Sequence, residues 1–238
     1  MNRRTFLQTG VAAGAVATAG CLGGGDDTPE AANEYGYETT TTDDGVEVPL
    51  VPIDDAIEWY RADNDTVFAD ARSLTAYQRA HIEAAVLSPA PDGQEGGDPL
   101  ADRSTDTRIV TYCGCPHHLS AMRGATLIEN GYVDTYAIDE GFGAWVDAGY
   151  PLAGDAVEQR PDVYEIRGRT DATYAGEYAW ARHDPTGQRE AVPIAEDGGF
   201  TLEIKFYDVT RDSEIRVTTP AAETEQPLGN LLGDVVRL

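Results

Sequence analysis

The chain has 238 residues, 41% of them hydrophobic, enough to bury a core in one large unit or two modest ones. Its formal charge of −25, from 42 acidic against 17 basic side chains spread along the chain, excludes nucleic acid and anionic membrane surfaces as partners, because both would repel it. Lys205 is the single lysine; every other basic side chain is arginine.

Residues 1–20 read as an export signal. Asn2-Arg-Arg-Thr-Phe-Leu-Gln8 resembles the twin-arginine consensus, the apolar run over 11–19 is too short to span a bilayer, and Thr18-Ala-Gly-Cys21 resembles a lipobox. The resemblance implies folded export, cleavage before Cys21 and lipidation of that cysteine. The expected location is the outer face of the cell membrane, touched through the lipid anchor alone. Residues 21–47 are rich in Gly, Asp and Thr, have no periodicity, and read as a flexible tether. The carboxylate-rich, lysine-poor composition resembles that of haloarchaeal proteins, which implies a high-salt habitat.

A folded unit is expected over 48–155. Ile53, Ala56, Ile57 and Tyr60 recur at helical spacing, 66–70 is a short apolar strand, a helix runs through 75–79, and a strand covers 84–87. Gly, Pro and Asp over 89–107 predict a long surface loop. A strand at 108–112, a helix over 119–130, a strand at 133–138 and a helix starting near Phe142 complete the alternation. That order predicts a parallel sheet with helices on both faces, and ligands in such sheets sit at the carboxyl ends of the strands.

At one such end the chain reads Cys113-Gly-Cys-Pro-His-His-Leu-Ser120, gathering two of its three cysteines and two of its four histidines. A strand, a tight loop and a helix put Cys113 where free backbone N–H groups and the helix dipole favour an anion, the setting of a thiolate nucleophile. Cys113 ends the strand directly and is the expected nucleophile; Gly114, Cys115, Pro116, His117, His118, Leu119 and Ser120 are the expected substrate-binding set. His117 or His118 would supply a nearby proton or positive charge.

These residues also carry a family resemblance. Phe68-Ala-Asp-Ala-Arg72, Ala80-His-Ile-Glu-Ala-Ala85, Tyr112-Cys113, Gly131-Tyr132, Glu140-Gly-Phe-Gly-Ala-Trp145 and Gly149-Tyr-Pro151 match, in order, the motifs of a rhodanese domain. In Ala80-His-Ile-Glu-Ala-Ala85 alanine stands where the family has two glycines. The resemblance implies a rhodanese-like α/β fold and sulfurtransferase activity, with Asp70, Arg72 and His81 as structural support. The loop departs from the family's Cys-x-x-Gly-x-Arg-Ser: it is one residue longer, as in relatives that hydrolyse phosphate or reduce arsenate, but it lacks the arginine, and that absence argues against phosphate hydrolysis, since an oxyanion clamp needs a guanidinium.

Beyond Pro161 apolar and polar residues alternate over 163–167, 174–180, 200–206 and 214–217, with turn signals at 184–187 and 197–199. Residues 160–238 are therefore expected to form a small all-β sandwich of the immunoglobulin-like kind, with a docking or spacing role, and with His183 exposed beside a turn. The favoured function is transfer of sulfane sulfur from a small donor such as thiosulfate, through a Cys113 persulfide, to a thiol or cyanide acceptor, without a cofactor. The rival is a thiophilic-metal or dithiol redox module that uses Cys113, Cys115, His117 and His118.

Overall fold

The computed structural model describes residues 29–62, 65–114 and 116–238. The export signal over 1–20, the lipidation site Cys21 and the loop residue Cys115 lie outside the described residues. In chain order the first elements are β1 (Thr39–Thr41), β2 (Glu47–Val51), α1 (Ile53–Arg61), β3 (Val67–Asp70), α2 (Leu74–Arg79) and β4 (His81–Ile82). They are followed by β5 (Val86–Leu87), β6 (Ile109–Tyr112), α3 (His118–Glu129), β7 (Thr135–Ile138), α4 (Gly141–Asp147) and β8 (Leu152–Ala153).

One six-stranded sheet has the order β1-β2-β7-β6-β3-β5. All neighbours run parallel except β1 against β2. The central strands β6 and β7 are buried at every residue, which explains their apolar runs: a parallel sheet covered on both sides offers no wet face. Along β6, Val110 and Tyr112 enter a core with Ile57, Phe142 and Trp145 from α1 and α4. Ile109, on the opposite face, meets Leu127 of α3. Complete burial of a side chain of this size contributes roughly 2–3 kcal/mol. Helix α1 forms where Pro52 precedes it, Asp54 and Asp55 occupy its first turn and Arg61 its last, matching the helix dipole at both ends.

Two expectations change here, and the third segment keeps its loop form. The flexible tether does not reach residue 47: Ala32 N–H donates to the Val133 carbonyl at 2.7 Å, Tyr37 donates to Asp55 at 2.7 Å, and Tyr35 and Tyr37 pack against Trp59 and Tyr136. Their partners lie far along the chain, so local composition conceals the packing. The strand expected over 84–87 is cut to Val86–Leu87 because Ala84 sits at φ 64°. Alanine in this left-handed region, where the rhodanese signature has glycine, costs about 1 kcal/mol. The 89–107 loop is pinned from within, Asp98 accepting from Ser88 Oγ and from the Gln94 and Leu100 amides.

The remainder comprises β9 (Tyr164–Arg169), β10 (Tyr178–His183), β11 (Gln188–Pro193), β12 (Gly199–Ile204), β13 (Glu214–Thr218), β14 (Glu223–Pro227), α5 (Leu228–Leu231) and β15 (Val236–Arg237). Strands β11-β10-β13-β14 form one antiparallel sheet, and β12-β9-β15 a second in which β15 runs parallel to β9. Alternate residues of both sheets, among them Ile166, Ala181, Leu202, Ile204, Ile215 and Val217, share one core that Leu228 and Leu231 of α5 close. His183 is not exposed: it is buried at the end of β10, its Nδ1 2.7 Å from Thr186 Oγ1.

The β-rich unit docks onto the α/β unit at the carboxyl end of its sheet. Arg79 pairs with Asp208 at 2.5 Å, Thr75 Oγ1 donates to the Thr186 carbonyl at 2.7 Å, and Arg189 donates to the Ala90 carbonyl.

Candidate active site

Strand β6 brings three side chains to the loop. Thr111 Oγ1 donates to the Ser120 carbonyl at 2.9 Å, tying the strand to the first turn of α3. Tyr112 receives the Ile82 amide on its hydroxyl at 3.1 Å and stacks on Phe142 at 5.6 Å. Cys113 follows. Its carbonyl accepts from the Phe142 amide at 2.8 Å, and its Sγ lies 3.5 Å from Ser120 Oγ. The thiol thus sits beside the N-terminal turn of a twelve-residue helix, where the backbone dipole favours negative charge.

Access is the unexpected feature. Cys113 is 0% exposed and packs with Ala71, Ala90, Leu119 and Met122 of the α/β unit and with Ala191 of β11. The expectation of an open nucleophile is corrected accordingly. In the described state the thiol is enclosed in an apolar niche to which Ala191 of the β-rich unit contributes. The neighbouring Gly114, rather than Cys113, lines the cavity beside the loop.

The expected substrate-binding residues separate. Gly114 reaches the cavity and Ser120 touches the thiol, while Pro116 is exposed. The Leu119 side chain is fully buried with Ala71, Cys113 and Met122, so only its backbone is left for the substrate-binding role expected of it. His117 takes the left-handed conformation at φ 36°, caps α3, and sets Nδ1 3.3 Å from Asp139 Oδ1. His118 does not supply positive charge: burial, reinforced by His117, pushes its pKa down to about 4, so it is neutral at pH 7. Both histidines face Thr40 and Tyr178, away from the cavity at Gly114. Among the described residues no group of three or more His, Cys, Asp or Glu side chains converges as a metal site.

Asp70, Arg72 and His81 brace the strand ends. Arg72 donates Nε to Asp70 Oδ1 at 2.9 Å, and Nη2 to Asp70 Oδ2 at 2.6 Å and to the Ala80 carbonyl at 2.7 Å. Its guanidinium lies 4.0 Å over the Phe142 ring. Burial alone would lower the Arg72 pKa, but the Asp70 carboxylate more than offsets it and raises it. His81 stacks on Tyr77 at 3.8 Å, with Nδ1 2.7 Å from the Tyr77 carbonyl. Sequence reasoning missed the outer wall. Lys205, Arg189 and Tyr207 of the β-rich unit line the same cavity as Arg72 and Gly114, with Lys205 Nζ 3.5 Å from the Gly114 carbonyl. The one available signal was that the chain's single lysine stood out by composition, with nothing local to place it.

A Rhodanese-like domain model matches residues 54–148. Thiosulfate sulfurtransferase GlpE of Pseudoalteromonas translucida is 33% identical over 83 residues, which cover 34% of this chain and 73% of that protein. Among solved structures, a Bacillus halodurans protein is 22% identical with a TM-score of 0.39, covering 45% of this chain and 77% of that one. The Rhodanese-like domain of an Anabaena sp. protein is 19% identical with a TM-score of 0.40, covering 48% and 85%. A parallel sheet whose central strand delivers a cysteine to the first turn of a helix, and a curated relative matched over most of its length, show that this chain belongs to the rhodanese-like family.

Proposed function

We propose that the chain is a sulfurtransferase in which Cys113 carries the sulfur. The observation that supports this most is the position of Sγ, at the end of a central parallel strand and 3.5 Å from a hydroxyl in the first turn of α3. A thiolate there attacks the outer sulfur of a donor such as thiosulfate; the donor's S–S bond breaks, sulfite leaves with the electron pair, and the persulfide passes its sulfur to a thiol or cyanide. The Ser120 hydroxyl and the helix dipole stabilise the anionic sulfur. The test is the intact mass of the full chain after thiosulfate treatment and desalting, which is expected to rise by one sulfur atom and to fall back on adding cyanide. An unchanged mass refutes the proposal. The enclosure of Cys113 favours a second reading, in which Cys115 is the thiol that takes the sulfur.

We further infer two domains, the second an immunoglobulin-like sandwich over 160–238. Its support is two stacked sheets on one core. Export by the twin-arginine route with lipidation at Cys21 rests on Arg3, Arg4 and the run that ends at Cys21. Lysine at both arginine positions is expected to abolish surface delivery in cell fractionation, and unchanged delivery would count against the route. A high-salt habitat rests on the charge of −25. Raising salt from roughly 0.1 M to 2 M shortens the Debye length to a few ångströms and relieves self-repulsion, so the melting temperature is expected to climb steeply over that range. A flat profile would sink the habitat proposal.

A further inference from the structure

Cys113 is fully buried, and the β-rich unit holds two of the segments beside it. Ala90, which packs in the niche, receives Arg189 of β11 on its carbonyl. Gly114, the next residue along the chain from the thiol, has its carbonyl 3.5 Å from Lys205 Nζ. Ala191 of β11 enters the niche itself, and Tyr178 and Trp180 of β10 pack half-buried against the same cluster. The contacts across the junction are polar: the Arg79–Asp208 pair is open to solvent, which screens it, and the Thr75 and Arg189 bonds end on neutral carbonyls. The junction is also hollow. A cavity of about 280 Å³ is lined by both units, whereas a domain core holds few voids larger than a water molecule. The covalent link is slight as well. The Ala156 amide is still held by the Arg79 carbonyl at 2.8 Å, but residues 158–163 are exposed apart from Pro161, with a surface pair from Arg160 to Asp147. Two units with separate apolar cores, joined through polar contacts, a cavity and one exposed segment, part more readily than either unfolds.

We propose that the β-rich unit is a gate over Cys113: the described state is the closed one, and the thiol meets small molecules when this unit swings away about residues 158–163. Opening takes Ala191 out of the niche and releases Ala90 and Gly114. Access is gated whether or not the thiol carries sulfur. Resting on the sulfurtransferase reading, opening also precedes both loading and discharge of the sulfur, and so limits turnover.

The test uses the full chain with Cys21→Ser and Cys115→Ser, which leaves Cys113 as the native thiol, and adds Arg79→Cys and Asp208→Cys across the junction. A short bis-maleimide links the new pair. N-ethylmaleimide, which caps each new thiol separately, gives an unlinked control of the same chemistry. Cys113 capped in this step as fast as the surface pair overturns the proposal outright. Iodoacetamide is then added, and its uptake at Cys113 is followed by peptide mass. The link is expected to slow uptake at least about tenfold, because the tether returns the two units to each other. Equal rates in linked and unlinked protein overturn the proposal. Parting the junction exposes little surface, so uptake in the unlinked form is expected to respond to low urea far less steeply than global unfolding does. An equal slope means that the thiol is reached by unfolding, and the gate is refuted. Thiosulfate loading, measured by mass on the same two forms, is expected to slow by the same factor. Loading that ignores the link refutes the gate; link-dependent alkylation without loading in either form keeps the gate and refutes sulfur transfer through Cys113.

Discussion

Replacing Cys113 by serine is expected to abolish the gain of a sulfur atom from thiosulfate and to lower turnover by at least about a thousandfold, the scale on which enzymes lose activity with their nucleophile. Serine is nearly isosteric, and the niche of Ala71, Ala90, Leu119, Met122 and Ala191 accepts it without a cavity, so the fold is retained and the melting curve reports that directly. Cys115→Ser is expected to leave a substantial fraction of the loading. The two thiols have different tasks on this reading: Cys113 has the Ser120 hydroxyl 3.5 Å away and the helix turn beside it, whereas Cys115 lies two residues further along, next to the exposed Pro116. Peptide mapping decides between them. Persulfide found on Cys115 in the Cys113→Ser protein would transfer the role to Cys115 and make the enclosed thiol a packing residue.

The largest stability loss is expected from Arg72→Met. Asp70 is 0% exposed, and the substitution strips its carboxylate of both guanidinium bonds, leaving the amide of residue 72 at 2.9 Å and the Tyr112 hydroxyl, neither of them a charge. A buried charge left without its partner costs about 3–5 kcal/mol, which for a chain of this size lowers the melting temperature by roughly 10 °C. The double variant Asp70→Asn, Arg72→Met should recover much of that loss, since neither charge is then stranded. Activity should fall as well. The guanidinium lies over Phe142, and the Phe142 amide holds the Cys113 carbonyl at 2.8 Å, so the loop inherits the brace's position. A melting temperature that ignores Arg72→Met would show that the pair is ornamental.

Elements that depend on short-range pattern were legible in the sequence. The buried runs of β6 and β7, the amphipathic α1 and the strand-loop-helix around Cys113 follow from spacing alone, as do the alternating strands β9 and β12. What stayed hidden depends on partners distant along the chain. Tyr35 and Tyr37 read as tether until Trp59 and Tyr136 pack against them, His183 reads as exposed until the sheet closes, and β11 and β14 carry too little apolar alternation to stand out. The cavity was the least legible feature. Lys205 reaches Gly114 across 91 residues, and Arg189 reaches Ala90 across 99. The burial of the Leu119 side chain was hidden for a local reason: a loop motif does not say where the first helical turn begins to face the core.

With Ala191 closed over it, Cys113 is also out of reach of peroxide. Oxidation from sulfenic to sulfinic and sulfonic acid needs a thiolate that the oxidant can touch, and its last steps are irreversible. A thiol kept inside the junction is exposed to that loss only when the two units part. The working lifetime of the protein in an oxidising medium is therefore governed by how firmly Arg79, Thr75 and Arg189 hold the units together.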